Sequence, residues 1–377
     1  MTTSINVSRS YVDHAASSPM SASVIAVIAE TLAGYGNPSA LHGSGRGARR
    51  IVEEARESLA ACLGAQPGEV VFTSGGTEAN NLALLGAADA DAPVVISAIE
   101  HPSVAEIGRL RDRVAVAGVD ANGRLDLDDF ARLVDGAAIA SVMWVNNETG
   151  VIQDVPAIVE RTHAGGALAH SDGVQAFGHL PIDFAATGLD LLSLSAHKLG
   201  GPVGVGALVV RRGTRLRASG FGGGQEAKLR SGTVPVALVA GFAAAAQAAV
   251  DVLAAEAERL EALRARVAAL TAVIDGAVDN SAEEHSPAII NLTFPGTRAD
   301  DVLLLLDAAG IDASTGSACT AGMHQPSEVL LAMGRSRAEA GASLRFSFGA
   351  TTTSADVDRL VAVLPGAVQT ARRAVAT

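Results

Sequence analysis

The stretch Leu192 to Val210, LSLSAHKLGGPVGVGALVV, decides how the rest of the chain is read. Its polar centre, Ser195-Ala196-His197-Lys198, lies between apolar β-prone runs and is followed at once by Gly200, Gly201, Gly204 and Gly206. A strand that ends in a Ser-x-His-Lys loop and returns as a second strand holds one amine at a fixed point. That amine is rare. Of 28 Lys+Arg only Lys198 and Lys228 are lysines, leaving 28 − 2 = 26 arginines. Arginine serves wherever a positive charge suffices. A lysine can also lose its proton and attack a carbonyl to form a Schiff base. The plainer reading is a surface lysine in a turn.

Working outward, β-prone runs alternate with helical ones from Glu69 to Leu194. Strands are predicted at 69–72, 94–97, 114–116, 139–144, 167–170 and 189–194, with helices at 78–87, after Pro102, at 126–133 and near 156–163. This alternation predicts an α/β fold whose mostly parallel sheet is sandwiched by helices. One long helix is expected from about Pro235 to Val273, and beyond it a smaller α+β unit. The domain division expected is 14–255 for the large unit and 256–377 for the small one, joined by 1–13. Residues 1–46 read as irregular, with Ser17-Ser18-Pro19 a turn or helix start and a glycine-rich loop through Gly34, Gly36, Gly43, Gly45 and Gly47, and a helix follows from Ala48 to Leu63.

At 377 residues, 49% of them hydrophobic, the chain is large enough for two or three units. Its formal charge of −12 argues against nucleic acid or an anionic membrane as the main partner. The two cysteines, Cys62 and Cys319, form neither a disulfide framework nor a metal-ligand spacing. The start of the chain carries no apolar leader run, so a cytoplasmic protein is expected. The uncharged run Val234 to Val250 reads as a buried helix that emerges to solvent, not as a membrane span.

Three motifs carry chemistry. Thr73-Ser74-Gly75-Gly76-Thr77, between a strand and a helix, is an anion cradle: backbone N–H groups and the helix N-terminus favour a phosphate. Alone it is weak, and it is neither a dinucleotide turn nor a Walker sequence. Asp172 ends a buried strand, with Gln175 one helical turn on; its plainer reading is a helix N-cap. With Lys198 these make the parts of a pyridoxal-phosphate site, in which the Asp keeps the pyridine nitrogen protonated and the ring draws off electrons.

The chain resembles the cysteine desulfurases of the NifS/IscS type, within the class V aminotransferase group of fold type I pyridoxal-phosphate enzymes. The resemblance is carried in order by YVDHAASSP, GNPSALH, VVFTSGGTEANNLAL, EHPSV, VNNETG, HSDGVQAFG, SAHKLGGPVGVGAL, GGGQEAKLRSGTVPV, STGSACTAGMHQPSEVLLAMG and SLRFSFG. It implies pyridoxal 5'-phosphate as cofactor, L-cysteine as substrate and L-alanine as product. Lys198 would bear the cofactor, and His101 would stack on its ring and move protons. Asp172 would contact the ring nitrogen and Gln175 the phenolic oxygen. Gly76, Thr77, Ser195 and His197 would hold the phosphate, and Thr233 would reach the phosphate of a partner subunit in a homodimer. Asn147 and Arg345 would bind the substrate carboxylate. Cys319 would take the sulfur as a persulfide and pass it to an acceptor protein, for iron–sulfur assembly or thiolation of tRNA or DNA. No metal, membrane or direct nucleic-acid contact is implied.

Ala196 stands where such proteins usually have Gly, and the segment Gly86–Val95 is short. A selenocysteine lyase or a class V aminotransferase is the alternative; Cys319 within GSACT argues against the aminotransferase. Arg345, in the strand-like SLRFSF, needs an anionic partner, which a substrate carboxylate or a structural Asp could supply. Cys62, among Leu59, Ala60, Ala61 and Leu63, reads as a small core residue.

Overall fold

The computed structural model describes residues 9–316 and 326–375. Its strands are β1 (Ser10–Tyr11), β2 (Val70–Thr73), β3 (Val94–Ser97), β4 (Val114–Ala117), β5 (Ile139–Ser141), β6 (Leu168–Asp172), β7 (Leu191–Ser195), β8 (Gly206–Val210), β9 (Val278–Asp279), β10 (Ile289–Thr293), β11 (Ile311–Asp312) and β12 (Ser343–Ser347). Seven of them form one sheet in the order β2-β8-β7-β6-β5-β3-β4, in which β8 alone runs against the others.

The sequence of β7 shows why this sheet is covered on both faces. Leu192 and Leu194 join one apolar core with Phe72 and Phe242, whereas Leu191 joins another with Val71 and Leu208. Neighbouring side chains point to opposite faces, so a strand buried on both reads as a continuous apolar run. Each fully buried leucine contributes about 1.5–3 kcal/mol. The helices Gly76–Ala87 and Pro102–Arg109 lie against this sheet, with the first residues of each at the carboxyl ends of β2 and β3. Those ends, with the ends of β6 and β7, meet on one rim, where ligands of open parallel sheets bind.

A second apolar core gathers Val12, Leu263, Ile290, Leu344, Phe346 and Leu360 around the antiparallel sheet β12-β10-β9. Short β1 pairs in parallel with β11, and bridges Asp13–Ser347 and Ser314–Arg345 tie these pieces together. The N-terminal segment thus reaches the rim from the side of the smaller core.

Three elements differ from the sequence expectation. A helix spans Ala22–Leu32 in the region expected to be irregular, capped by the Ser21 hydroxyl, which accepts from Val24 N. The next helix begins at Gly43, not Ala48, because His42 caps it by accepting from Gly45 N. Gly45 is there for space: a Cβ would lie 2.5 Å from the Ala40 carbonyl oxygen. The long helix expected over 235–273 is two, Val236–Asp251 and Leu253–Ala268, meeting at about 74°. Val239, Phe242 and Ala246 of the first half pack on the large sheet, while Leu260, Leu263 and Val267 of the second pack on the smaller core, so a straight helix could not serve both. No single helix among the described residues is long and apolar enough to cross a membrane.

Candidate active site

The rim holds a cavity of about 280 Å³ lined by Gly76, Thr77, His101, Asn147, Asp172, Gln175, Ser195, His197, Lys198 and Arg345. Ten of the positions singled out in the sequence therefore converge, from four strand ends, a helix start and the smaller sheet. Thr233 stands apart, exposed, on the loop before the helix Val236–Asp251. Cys319 lies outside the described residues.

Lys198 ends the short turn after β7, and its ammonium donates to the carbonyl oxygens of Ala15 and Ala16 at 2.7 and 2.8 Å. The surface-lysine reading is thereby set aside: the amine faces a lined cavity and is held by the N-terminal segment. Beside it His197 is held well below its ordinary pKa, at about 4, by burial and by Lys198, and its Nδ1 meets the Ser17 hydroxyl at 3.3 Å.

The cradle is built by close backbone approach. Gly206 opens β8 behind it, where a Cβ would sit 2.7 Å from Gly75 Cα, and a Cβ on Gly76 would lie 2.8 Å from Val174 Cγ2. Thr77 sits in the first turn of the twelve-residue helix Gly76–Ala87, so free N–H groups and a hydroxyl open on the cavity.

Asp172, at the end of β6, is 5% exposed. Its Oδ1 accepts from Val174 N at 2.9 Å, the N-cap-like role foreseen as the plainer reading, and its Oδ2 accepts from Asn80 Nδ2 at 2.7 Å. Gln175 Nε2 donates to Ala15 O at 2.9 Å. Sequence reasoning passed over Asn80, although it lies three residues after Thr77 and so on the same helix face.

Arg345 finds the structural partner that was one of its two options. It donates to Asp13 Oδ1 at 2.7 Å and to the Asn147 carbonyl oxygen at 2.8 Å, while its buried Nε has no hydrogen-bond partner among the described residues. Asp13 was missed because a lone Asp in YVDHAA gives no sign of an ion pair 332 residues away.

Two buried carboxyls sit behind the cavity wall. Glu148 accepts from the Ser327 hydroxyl, and burial raises its pKa. Glu100 Oε1 accepts from Ser97 Oγ and Met143 N, both at 2.7 Å. Burial pushes its pKa up to about 8. An unfolded glutamate ionises near pH ~4.3. Between there and pH 8 the folded chain holds a proton that the unfolded chain has lost. Glu100's contribution is therefore full below the unfolded value, falls by about 1.4 kcal/mol per pH unit, and is gone once pH passes the folded value. Glu100→Gln is expected to flatten that slope. Denaturant titrations of both proteins across this window check it; parallel pH dependences would contradict it.

The donor set suits pyridoxal phosphate: an amine, a helix N-terminus with hydroxyls for the phosphate, and a carboxylate for a pyridine nitrogen. The aminotransferase class-V family model matches residues 10–360. An IscS-like cysteine desulfurase of Mycobacterium tuberculosis is 45% identical, over 97% of each chain. The chain belongs to the class V aminotransferases, among their cysteine desulfurases. A cysteine desulfurase of Gluconacetobacter diazotrophicus is 43% identical, over 89% of this chain and 86% of that one. The solved NifS-like protein of Rickettsia africae superposes with a TM-score of 0.89 at 30% identity, covering 96% of this chain and 99% of that one. Class V aminotransferases of the desulfurase type are pyridoxal-phosphate enzymes, in keeping with the donor set of this member.

Proposed function

We propose that this chain is a pyridoxal-phosphate-dependent cysteine desulfurase that converts L-cysteine to L-alanine and keeps the sulfur as a persulfide on Cys319. The observation that carries the reading is the meeting of the Lys198 amine, the Gly75–Thr77 cradle and the Asp172 carboxylate in one cavity. Lys198 would hold the cofactor covalently, and Gly76, Thr77, Ser195 and His197 would hold its phosphate. Asp172 would pair with the ring nitrogen, Gln175 with the phenolic oxygen, and His101 would lie against the ring. Bound there, pyridoxal phosphate supplies an electron sink beside the substrate's Cα.

The chain's own groups do the rest. Asn147 and the Arg345 guanidinium, already oriented by Asp13, hold the substrate carboxylate. The cavity lies on the rim between the large sheet and the smaller core, so groups from both reach it. The Cys319 thiolate attacks the substrate sulfur. The S–S bond forms as the Cβ–S bond breaks; its electron pair stays with Cβ, which takes up a proton, leaving the persulfide on Cys319 and alanine as product. A free thiol of this kind suits a reducing cytoplasm.

The sulfur then passes to an acceptor protein. A homodimer completes each site, the exposed Thr233 of one subunit reaching the phosphate held by the other. Light scattering at assay concentration should return twice the 38.0 kDa chain mass; a fully active monomer would contradict this.

Incubation of the purified protein with L-cysteine and a thiol reductant tests the reading. Equal amounts of alanine and sulfide are expected. 3-Mercaptopyruvate without sulfide would instead mark an aminotransferase.

A further inference from the structure

His101 is the N-cap of the helix Pro102–Arg109, and its Nδ1 accepts the Ser103 backbone N–H at 3.1 Å. The Ser103 hydroxyl lies 2.8 Å from the same nitrogen. That hydroxyl in turn accepts from Asn80 Nδ2 at 2.8 Å, and the other proton of the same amide goes to Asp172 Oδ2 at 2.7 Å. Asn80 and Ser103 are 1% and 8% exposed, so water does not compete for these bonds. The direction of each bond is forced. Asp172, as a carboxylate, only accepts, so Asn80 donates to it and, with its second proton, to Ser103. Ser103 Oγ, having accepted, has one proton left, and Nδ1 is where it points. A backbone N–H cannot reverse. Nδ1 therefore receives two donors and holds no proton of its own, and the neutral ring carries its proton on Nε2, the nitrogen left to the cavity.

Resting on the desulfurase reading, we propose that Asn80 and Ser103 are positioning residues that lock His101 in its Nε2–H tautomer, so that the imidazole meets the substrate as a neutral proton donor and not as a base. The helix N-terminus acts in the same sense, since its free N–H groups oppose a positive ring. The charged groups facing His101 are Asp172, which raises its pKa, and Lys198, which lowers it; burial is the larger effect and also lowers it. Taking up a second proton would require Nδ1–H to face the Ser103 N–H. Acid–base duties in the cavity thus divide: His101 gives a proton from Nε2, and the Lys198 amine is the basic nitrogen that receives one.

The test uses enzyme labelled with 15N-histidine, the His101 signals being assigned by difference against His101→Gln. In the wild type Nε2 should be protonated and Nδ1 bare from about pH 8 to pH 6. Ser103→Ala removes a donor that favours the neutral ring. His101 should then mix tautomers and take up its second proton at higher pH, and the acid limb of kcat/KM should move up with it. Its kcat should fall roughly 10- to 100-fold with KM little changed, as expected when a proton donor is misaligned. Ser103→Thr, which keeps the hydroxyl, should restore all three, and Asn80→Ala should resemble Ser103→Ala. A wild-type ring protonated on Nδ1, or a Ser103→Ala enzyme with unchanged tautomer and unchanged acid limb, overturns the proposal. Failure to form alanine from cysteine would overturn the desulfurase reading instead, and leaves the tautomer result to be read from the 15N signals alone.

Discussion

Lys198→Arg is expected to give a folded protein that holds no covalently fixed cofactor and makes alanine from cysteine at least about 10³-fold more slowly. The substitution separates charge from nucleophilicity. The ammonium now donates to the carbonyl oxygens of Ala15 and Ala16, and a guanidinium, with five donors, can do the same. It stays protonated at neutral pH and so cannot form a Schiff base. Borohydride treatment followed by peptide mapping reads the outcome. Wild type should carry reduced cofactor on Lys198, and the variant none. A cofactor fixed by borohydride in the variant would remove Lys198 from its role.

Cys319→Ser should have an effect of similar size on turnover but none on cofactor attachment. A serine hydroxyl is far less acidic than a thiol and is no sulfur acceptor. Sulfide production should fall at least about 10³-fold, while borohydride still fixes the cofactor to Lys198. The other cysteine provides the control. Cys62 is half-buried against the core that holds Phe242, its Sγ 3.6 Å from Gln247 Oε1, and burial pushes its thiol pKa up. It is poorly suited to be a thiolate at neutral pH, and Cys62→Ser should keep sulfide production within about twofold of wild type. Parallel assays of the two variants check this. Loss of activity in Cys62→Ser with retention in Cys319→Ser would reverse the assignment.

The sheet was legible because strands buried on both faces are written as apolar runs. β3, read at 94–97, spans Val94–Ser97, and the polar residues at each run's end mark the rim. The Ser-x-His-Lys turn was legible for a different reason: a lysine in an arginine-biased chain is a chemical choice. What could not be read depends on partners distant in sequence. Nothing in YVDHAA shows that Asp13 pairs with Arg345, or that the carbonyls of Ala15 and Ala16 hold Lys198. The relay through Asn80 and Ser103 was hidden similarly, because Asn in a helix and Ser after Pro are unremarkable until the fold sets Asn80 between Ser103 and the Asp172 carboxylate of β6. The helix Ala22–Leu32 follows the Ser17-Ser18-Pro19 turn or helix start, but the glycines that come after it, from Gly34 on, dominate the local reading. The break at Val252 was missed because the helical pattern runs on through it while the surface to be covered changes.

Where the sulfur goes decides whether Cys319 is the nucleophile. Wild-type protein mixed with L-cysteine without reductant, quenched with an alkylating agent and digested, should carry one added sulfur on Cys319 for each alanine released. Sulfur found on Cys62, or alanine released with no sulfur retained on Cys319, would contradict it.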